Sequence, residues 1–271
     1  MACFGMCSSK SRQVKDHPLG VSVQALIDVR ARFPAVTEDD TTSDVCHREI
    51  KPATTPDGWE CRPKVTDAAK GWYSHSYKET ATQAVQDEPP PGTKSYLSVL
   101  QSEPATRGQV GPANAFVSHA WQFNFLTVVA ALEAFVAQHQ AGEELFFWFD
   151  CLVIDEHANN DKPQEWWSTS FKDSISAIGR TVMVLAPWNQ PVPLTRAWCL
   201  WELFCAVNTG CPFNVALSPE QSAALEEAVM KGSSASGNPF RDALAGGHRC
   251  CPGAGRQGVG QGEDHGRSAG Q

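Results

Sequence analysis

The 271-residue chain lacks several features that would each point to a class of function. It has no basic excess: 22 Lys and Arg stand against 30 Asp and Glu, for a net charge of −8. Binding to a phosphate backbone is therefore not expected, and nucleic acid is set aside as a partner. No apolar run approaches the ~18 residues that span a bilayer. The longest candidate, LFFWFDCLVI at 145–154, is broken by Asp150, so no transmembrane segment is expected. The start, MACFGMCSSK, carries no long apolar stretch of the secretory type, which leads to the expectation of a cytoplasmic protein. None of the ten cysteines falls into paired CxxC or Cys/His zinc spacing, so no metal site is expected and the thiols read as those of a reduced protein. No glycine follows Met1, which removes myristoylation and leaves Cys3 or Cys7 as acceptors for a lipid anchor. There is no internal repeat.

What is present divides by composition into three zones. Residues 1–109 are polar and rich in turn signals (DDTTSD, KPATTP, DEPPPG), with one short helix expected at Val21–Arg32. The prolines at 89–91 cannot continue a helix or a central strand, and the zone reads as an irregular N-terminal arm. Residues 232–271 are dominated by glycine, with few aliphatic side chains to offset the entropy of ordering, and read as a disordered tail.

Between them, 110–231 alternates regularly. Strands are expected at 113–118, 145–149, 181–186 and 213–217, and helices at 125–140, around 167–178, over 194–207 and from 218 onward. The last opens with Ser218-Pro219-Glu220-Gln221, which supplies an N-cap serine, a proline at the first helical position and a glutamine three residues after the cap. Four strand–helix alternations with short connections predict an α/β fold, a flavodoxin-like parallel sheet with helices on both faces.

Such sheets bind ligands at the carboxyl ends of their strands. The residues found there are Ser118, His119 and Trp121 after the first strand, Asp150 after the second and Trp188 after the third. The next helix adds Trp198 and Glu202 within LTRAWCLWELFCAV, whose only acid is Glu202. At 100° per residue, Leu200, Leu203, Phe204 and Val207 form one apolar stripe and Glu202 points away from it. On that geometry alone the glutamate is exposed. Its own face nevertheless carries Trp198, Cys205 and Ala206, so the helix is expected to be covered on both sides, with the acid in a partly dry wall. Each residue also has a simpler role: a turn histidine at 119, a capping aspartate at 150, and tryptophans that fill the core.

FVSHAW at 116–121, FKDSISAIGRTVMVLAPW at 171–188 and above all AWCLWEL at 197–203 resemble the Toll/interleukin-1 receptor (TIR) superfamily, in a divergent form similar to an algal and protist group. The likeness covers roughly residues 110–230. It implies signalling, self-association through the domain and contacts with other signalling proteins. In enzymatic members the matching glutamate, here Glu202, cleaves the nicotinamide–ribose bond of NAD⁺, which is then a substrate, with no cofactor required. Ser118, His119, Trp121, Asp150, Trp188 and Trp198 would shape the pocket. The chain departs from the pattern in the loop after Asp150, which has no Arg-Gly or Pro-Gly, and in the absence of a fifth strand. Two other functions stand beside the glycohydrolase: a non-enzymatic interaction scaffold, and a hydrolase using His119 and Cys199.

Overall fold

The computed structural model describes residues 17–67, 70–139, 142–158 and 163–233. Most of residues 232–271, read from sequence as a disordered tail, and both Cys3 and Cys7 lie outside the described residues. The chain divides into two compact units, one running to Leu225 and one from Glu226, of which only the end of a helix is described.

In chain order the elements are β1 (Leu19–Ser22), α1 (Val23–Arg32), α2 (Thr42–Val45), a π-helical turn (Cys46–Ile50) and α3 (Lys51–Ala53). Next come β2 (Trp59–Asp67), β3 (Trp72–Glu79), β4 (Val85–Gln86), α4 (Tyr96–Ser102), β5 (Val110–Pro112) and β6 (Ala115–Ser118). They are followed by α5 (Phe125–Gln138), β7 (Phe146–Trp148), α6 (Asp150–Val153), α7 (Gln164–Ile178) and β8 (Thr181–Val184). The series closes with α8 (Ala197–Thr209), β9 (Phe213–Ala216) and α9 (Pro219–Ser233).

Local chemistry sets many of these boundaries. Ser22, Thr41 and Asn124 each accept from a backbone N–H in the first turn of the helix that follows, the N-cap arrangement that satisfies an otherwise unpaired donor. Gly179 and Gly210 end α7 and α8 in the left-handed region, where a Cβ would be strained.

The fold is α/β. Its central sheet has six strands in the order β5-β1-β7-β6-β8-β9. The four strands expected from sequence, β6, β7, β8 and β9, are mutually parallel and lie in the order second-first-third-fourth. The whole sheet is mixed, however, because β1 pairs antiparallel with both β7 and β5. Gly20 permits this: a Cβ there would meet the Phe147 backbone at 2.8 Å.

The irregular arm expected over 1–109 is thus corrected for residues 17–109. They give the central sheet β1, pack α1 against the core and fold a separate three-stranded antiparallel sheet in the order β2-β3-β4. β2 carries little hydrophobic signal because only Cys61 of its nine residues is buried, so a half-solvated strand left no alternating pattern to read.

The pleat divides the core into two layers. Ala115, Val117, Phe147, Phe149, Val182 and Val184 pack with α1 and α5, whereas Phe116 and Trp148 pack with Phe171 and Ile175 of α7 and Cys205 and Ala206 of α8. Ser118 shares the parity of Phe116 and so turns toward the α7–α8 layer.

Candidate functional site

The first strand of the parallel set ends in Ser118 and His119, both buried, and α8 brings Glu202 to the same place. Cys199, Glu202, Cys205 and Ala206 form the inner face of α8. Small thiols and an alanine allow the helix to approach the sheet closely and leave the glutamate 8% exposed. The stripe expected to pack inward is the exposed one: Leu200 is 44%, Phe204 55% and Val207 68% accessible. Among the described residues this outer face stays open, which corrects the expectation of a helix covered on both sides.

Burial pushes the Glu202 carboxyl up to about 8, with the charge of Asp150 adding to the rise, while Ser118 and the Arg196 guanidinium oppose it. Ser118 lies close enough to ease the shift, yet neither Ser118 Oγ nor Glu202 Oε2 completes a hydrogen bond of normal geometry. The carboxyl is therefore largely protonated at neutral pH and incompletely bonded. His119 stacks on Phe149 with centroids 4.6 Å apart, and its Nε2 has no partner. Burial lowers its pKa, with Asp150 opposing, so the ring is neutral. Cys199 Sγ donates to the His119 carbonyl at 3.4 Å, and burial followed by the Glu202 charge pushes the thiol up to about 12. A thiol so protonated, held by a backbone carbonyl, is no activated nucleophile, which removes the observation behind a His119–Cys199 hydrolase.

Asp150 is oriented on both sides, accepting from Trp121 Nε1 at 2.7 Å and from the Cys151 N–H at 2.8 Å. The Trp121 ring thereby becomes a fixed wall of a cleft of about 210 Å³, whose other sides are Asp150, Ile154, Glu156, Trp167, Phe171 and Trp198. Phe171 meets Trp198 edge to face at 5.8 Å. Glu202 does not border this cleft. It lies one helical turn beyond Trp198, the adjacent position on the same strip of α8.

Of the residues singled out from sequence, Ser118, His119, Asp150 and Glu202 gather at the carboxyl end of the sheet, with Trp121 and Trp198 beside them. Trp188 is not among them: its backbone N–H donates to Gln221 Oε1, and it borders neither this cleft nor the compartment that adjoins it at Trp121.

Sequence reasoning missed Trp167, Glu156 and Arg196 as parts of the site. It also missed the anchoring of the loop that carries Glu156. Lys51 Nζ donates to the Glu156 carbonyl at 3.0 Å, and His157 is bonded through Nε2 to Thr54 and through Nδ1 to Tyr77. The N-terminal segment thus fixes one wall of the cleft. The sequence signal for the Trp167 wall was the pair Trp166-Trp167 near the start of α7. Lys51, Thr54 and Tyr77 gave none, since they lie about 80 to 105 residues away along the chain from the loop they hold.

Among the described residues no group of three or more His, Cys, Asp or Glu side chains could hold a metal ion, and no helix is long and apolar enough to cross a membrane. The chain matches no protein-family model, no curated protein and no solved structure.

Proposed function

We propose that the chain is a TIR-like hydrolase that cleaves the nicotinamide–ribose bond of NAD⁺, with Glu202 as the group that meets the ribose. One observation carries this reading: a buried carboxyl whose Oε2 completes no hydrogen bond of normal geometry, beside the Ser118 hydroxyl, which completes none either, one helical turn behind an aromatic cleft. Leaving a buried polar group unsatisfied costs roughly 1–3 kcal/mol. Ribose hydroxyls would satisfy both groups, and the likeness of AWCLWEL to the TIR motif names the reaction.

In that reaction the C1′–N bond breaks with its electron pair passing to the pyridinium nitrogen, so nicotinamide departs neutral. Positive charge develops on the sugar, water adds at C1′ and a proton is released. A carboxylate stabilises the developing charge without a strong general acid, because the leaving group is already cationic in the substrate. The rings of Trp121, Trp167 and Trp198 stack the base, Asp150 fixes Trp121, and Trp198 turns aside to admit the ribose to Glu202. The carboxyl is protonated at neutral pH, and the active form is the carboxylate. Activity expressed as kcat/KM therefore rises with pH up to about 8 and then levels.

The test is release of nicotinamide from NAD⁺ by concentrated protein. Glu202→Ala lowers the rate by at least about a hundredfold, on the scale of removing one transition-state stabiliser. A folded, self-associated sample that releases no nicotinamide removes the reading.

A second reading, a non-enzymatic TIR-like scaffold acting by self-association, is favoured by the exposed Leu200, Phe204 and Val207 stripe beside the edge strand β9. Under it, NAD⁺ stays intact while Phe204→Glu lowers self-association measured by sedimentation velocity.

A further inference from the structure

The aromatic cleft does not end at Trp121. The same side chain also borders a compartment of about 270 Å³, lined among others by Ser43, Lys70, Gly71, Gln122 and Arg196. The two spaces differ in charge. Among the described residues, the cleft is lined by the acids Asp150 and Glu156 and by no Lys or Arg, whereas the compartment is lined by Lys70 and Arg196 and by no Asp or Glu.

Arg196 is the more telling cation. It is half-buried, directly precedes α8 and donates from its guanidinium to Gln122 Oε1. It forms no ion pair among the described residues. Its charge reaches inward, opposing the rise of the Glu202 pKa and lowering that of His119. A partly desolvated guanidinium without a carboxylate is unfavourable unless an anion completes it, and its planar fork suits phosphate oxygens. The other cation lining the compartment, Lys70, lies over the Trp72 ring at 4.4 Å and pairs with Asp67 at 3.1 Å. Gly71, at φ +64°, lets the turn between them form without a side chain facing the space.

We infer that this compartment holds the phosphate groups of the ligand, with Arg196 as its main cation, so that Arg196 is the residue that sets the preference for a phosphorylated nucleotide over the free nucleoside. The inference rests on reading the aromatic cleft as the site of the base and ribose. A ligand cationic at its pyridinium and anionic at its phosphates would then lie across Trp121 with each end in the space of opposite charge. Six of the nine residues that line the compartment come from 43–73, so the N-terminal segment takes part in choosing the substrate.

Calorimetry on the full chain tests this with three probes: ADP-ribose, nicotinamide mononucleotide and nicotinamide riboside. Arg196→Gln weakens the two phosphorylated probes by about tenfold or more, the scale of a lost charge-assisted bond, and leaves the riboside within about twofold. Arg196→Lys restores part of the loss, and Lys70→Glu, at the exposed second cation, weakens the same two probes. Equal losses for all three probes, unchanged affinity of the phosphorylated pair, or binding of none would overturn the inference. If phosphate-dependent, Arg196-dependent binding occurs but NAD⁺ is never cleaved, the compartment stands and the hydrolase falls. If NAD⁺ is cleaved and Arg196→Gln affects it and the riboside alike, the hydrolase stands and the compartment falls.

Discussion

Two buried histidines sit in opposite circumstances. His157 is 3% exposed, and both ring nitrogens are bonded, to Thr54 and Tyr77. His119 is 6% exposed, and its Nε2 has no partner; close by, Ser118 Oγ and Glu202 Oε2 are in the same condition. The first neighbourhood is a completed network joining the N-terminal segment to the loop after β7. The second is a set of polar groups left open at the carboxyl edge of a parallel sheet. Completed networks of this kind position the chain, whereas open ones at a strand edge mark where a ligand would complete the bonding.

Three substitutions sharpen that contrast, and the largest effect belongs to the open neighbourhood. Glu202 has its folded pKa raised from 4.5 to about 8, so the unfolded chain ionises first and the folded state loses stability as pH climbs between those values. Glu202→Gln removes that penalty. We expect it to stabilise the protein by up to about 4 kcal/mol at pH 8.5 and by almost nothing at pH 4, measured by urea unfolding at the two pH values. Equal effects at both would show that the carboxyl does not titrate with folding.

His157→Ala comes next. It removes the ring bonded to Tyr77 Oη and opens a cavity, while Thr54 Oγ1 keeps its bonds to the Ile50 and Lys51 carbonyls, at a cost of about 3 kcal/mol at pH 7. The effect weakens in acid. Burial and Lys51 depress the pKa of this histidine to about 4, so its native contribution is intact above pH 6.5 and fades as pH falls toward 4. The difference between variant and parent, followed by thermal unfolding, shrinks across that window. A difference that stays constant with pH would break the assignment of His157 as a neutral, doubly bonded group.

The smallest effect is expected for His119→Phe. The ring already stacks on Phe149 and has an unpartnered nitrogen, so an apolar ring in its place changes stability by less than about 1 kcal/mol. A loss as large as that of His157→Ala would erase the contrast between the two histidines.

Short apolar runs made β6, β7, β8 and β9 legible, with β6 and β8 buried throughout and β7 over two of its three residues, and the apolar spacing of the intervening segments made the helices legible. The carboxyl-edge rule then brought Ser118, His119, Asp150 and Glu202 together before any coordinates. The inner face of α8 was harder to read. Its stripe of large aliphatics pointed to one face as buried, but close approach to the sheet selected the face of Cys199, Cys205 and Ala206 and took Glu202 inward with it. β1 was not legible because it has four residues and its partners β5 and β7 lie far along the chain; β2 and β3, which pair with each other, were not legible because they are largely solvated.

By itself, then, the sequence determined the parallel strands, their helices and the set of side chains that reach one edge of the sheet, because periodicity and strand direction are local properties. The tertiary structure decided which face of α8 lies inward, which tryptophans line the cleft, that Arg196 faces an adjoining compartment, and that the N-terminal residues wall the site. Those outcomes depend on how closely surfaces pack and on bonds between residues roughly a hundred positions apart, and no local pattern encodes them.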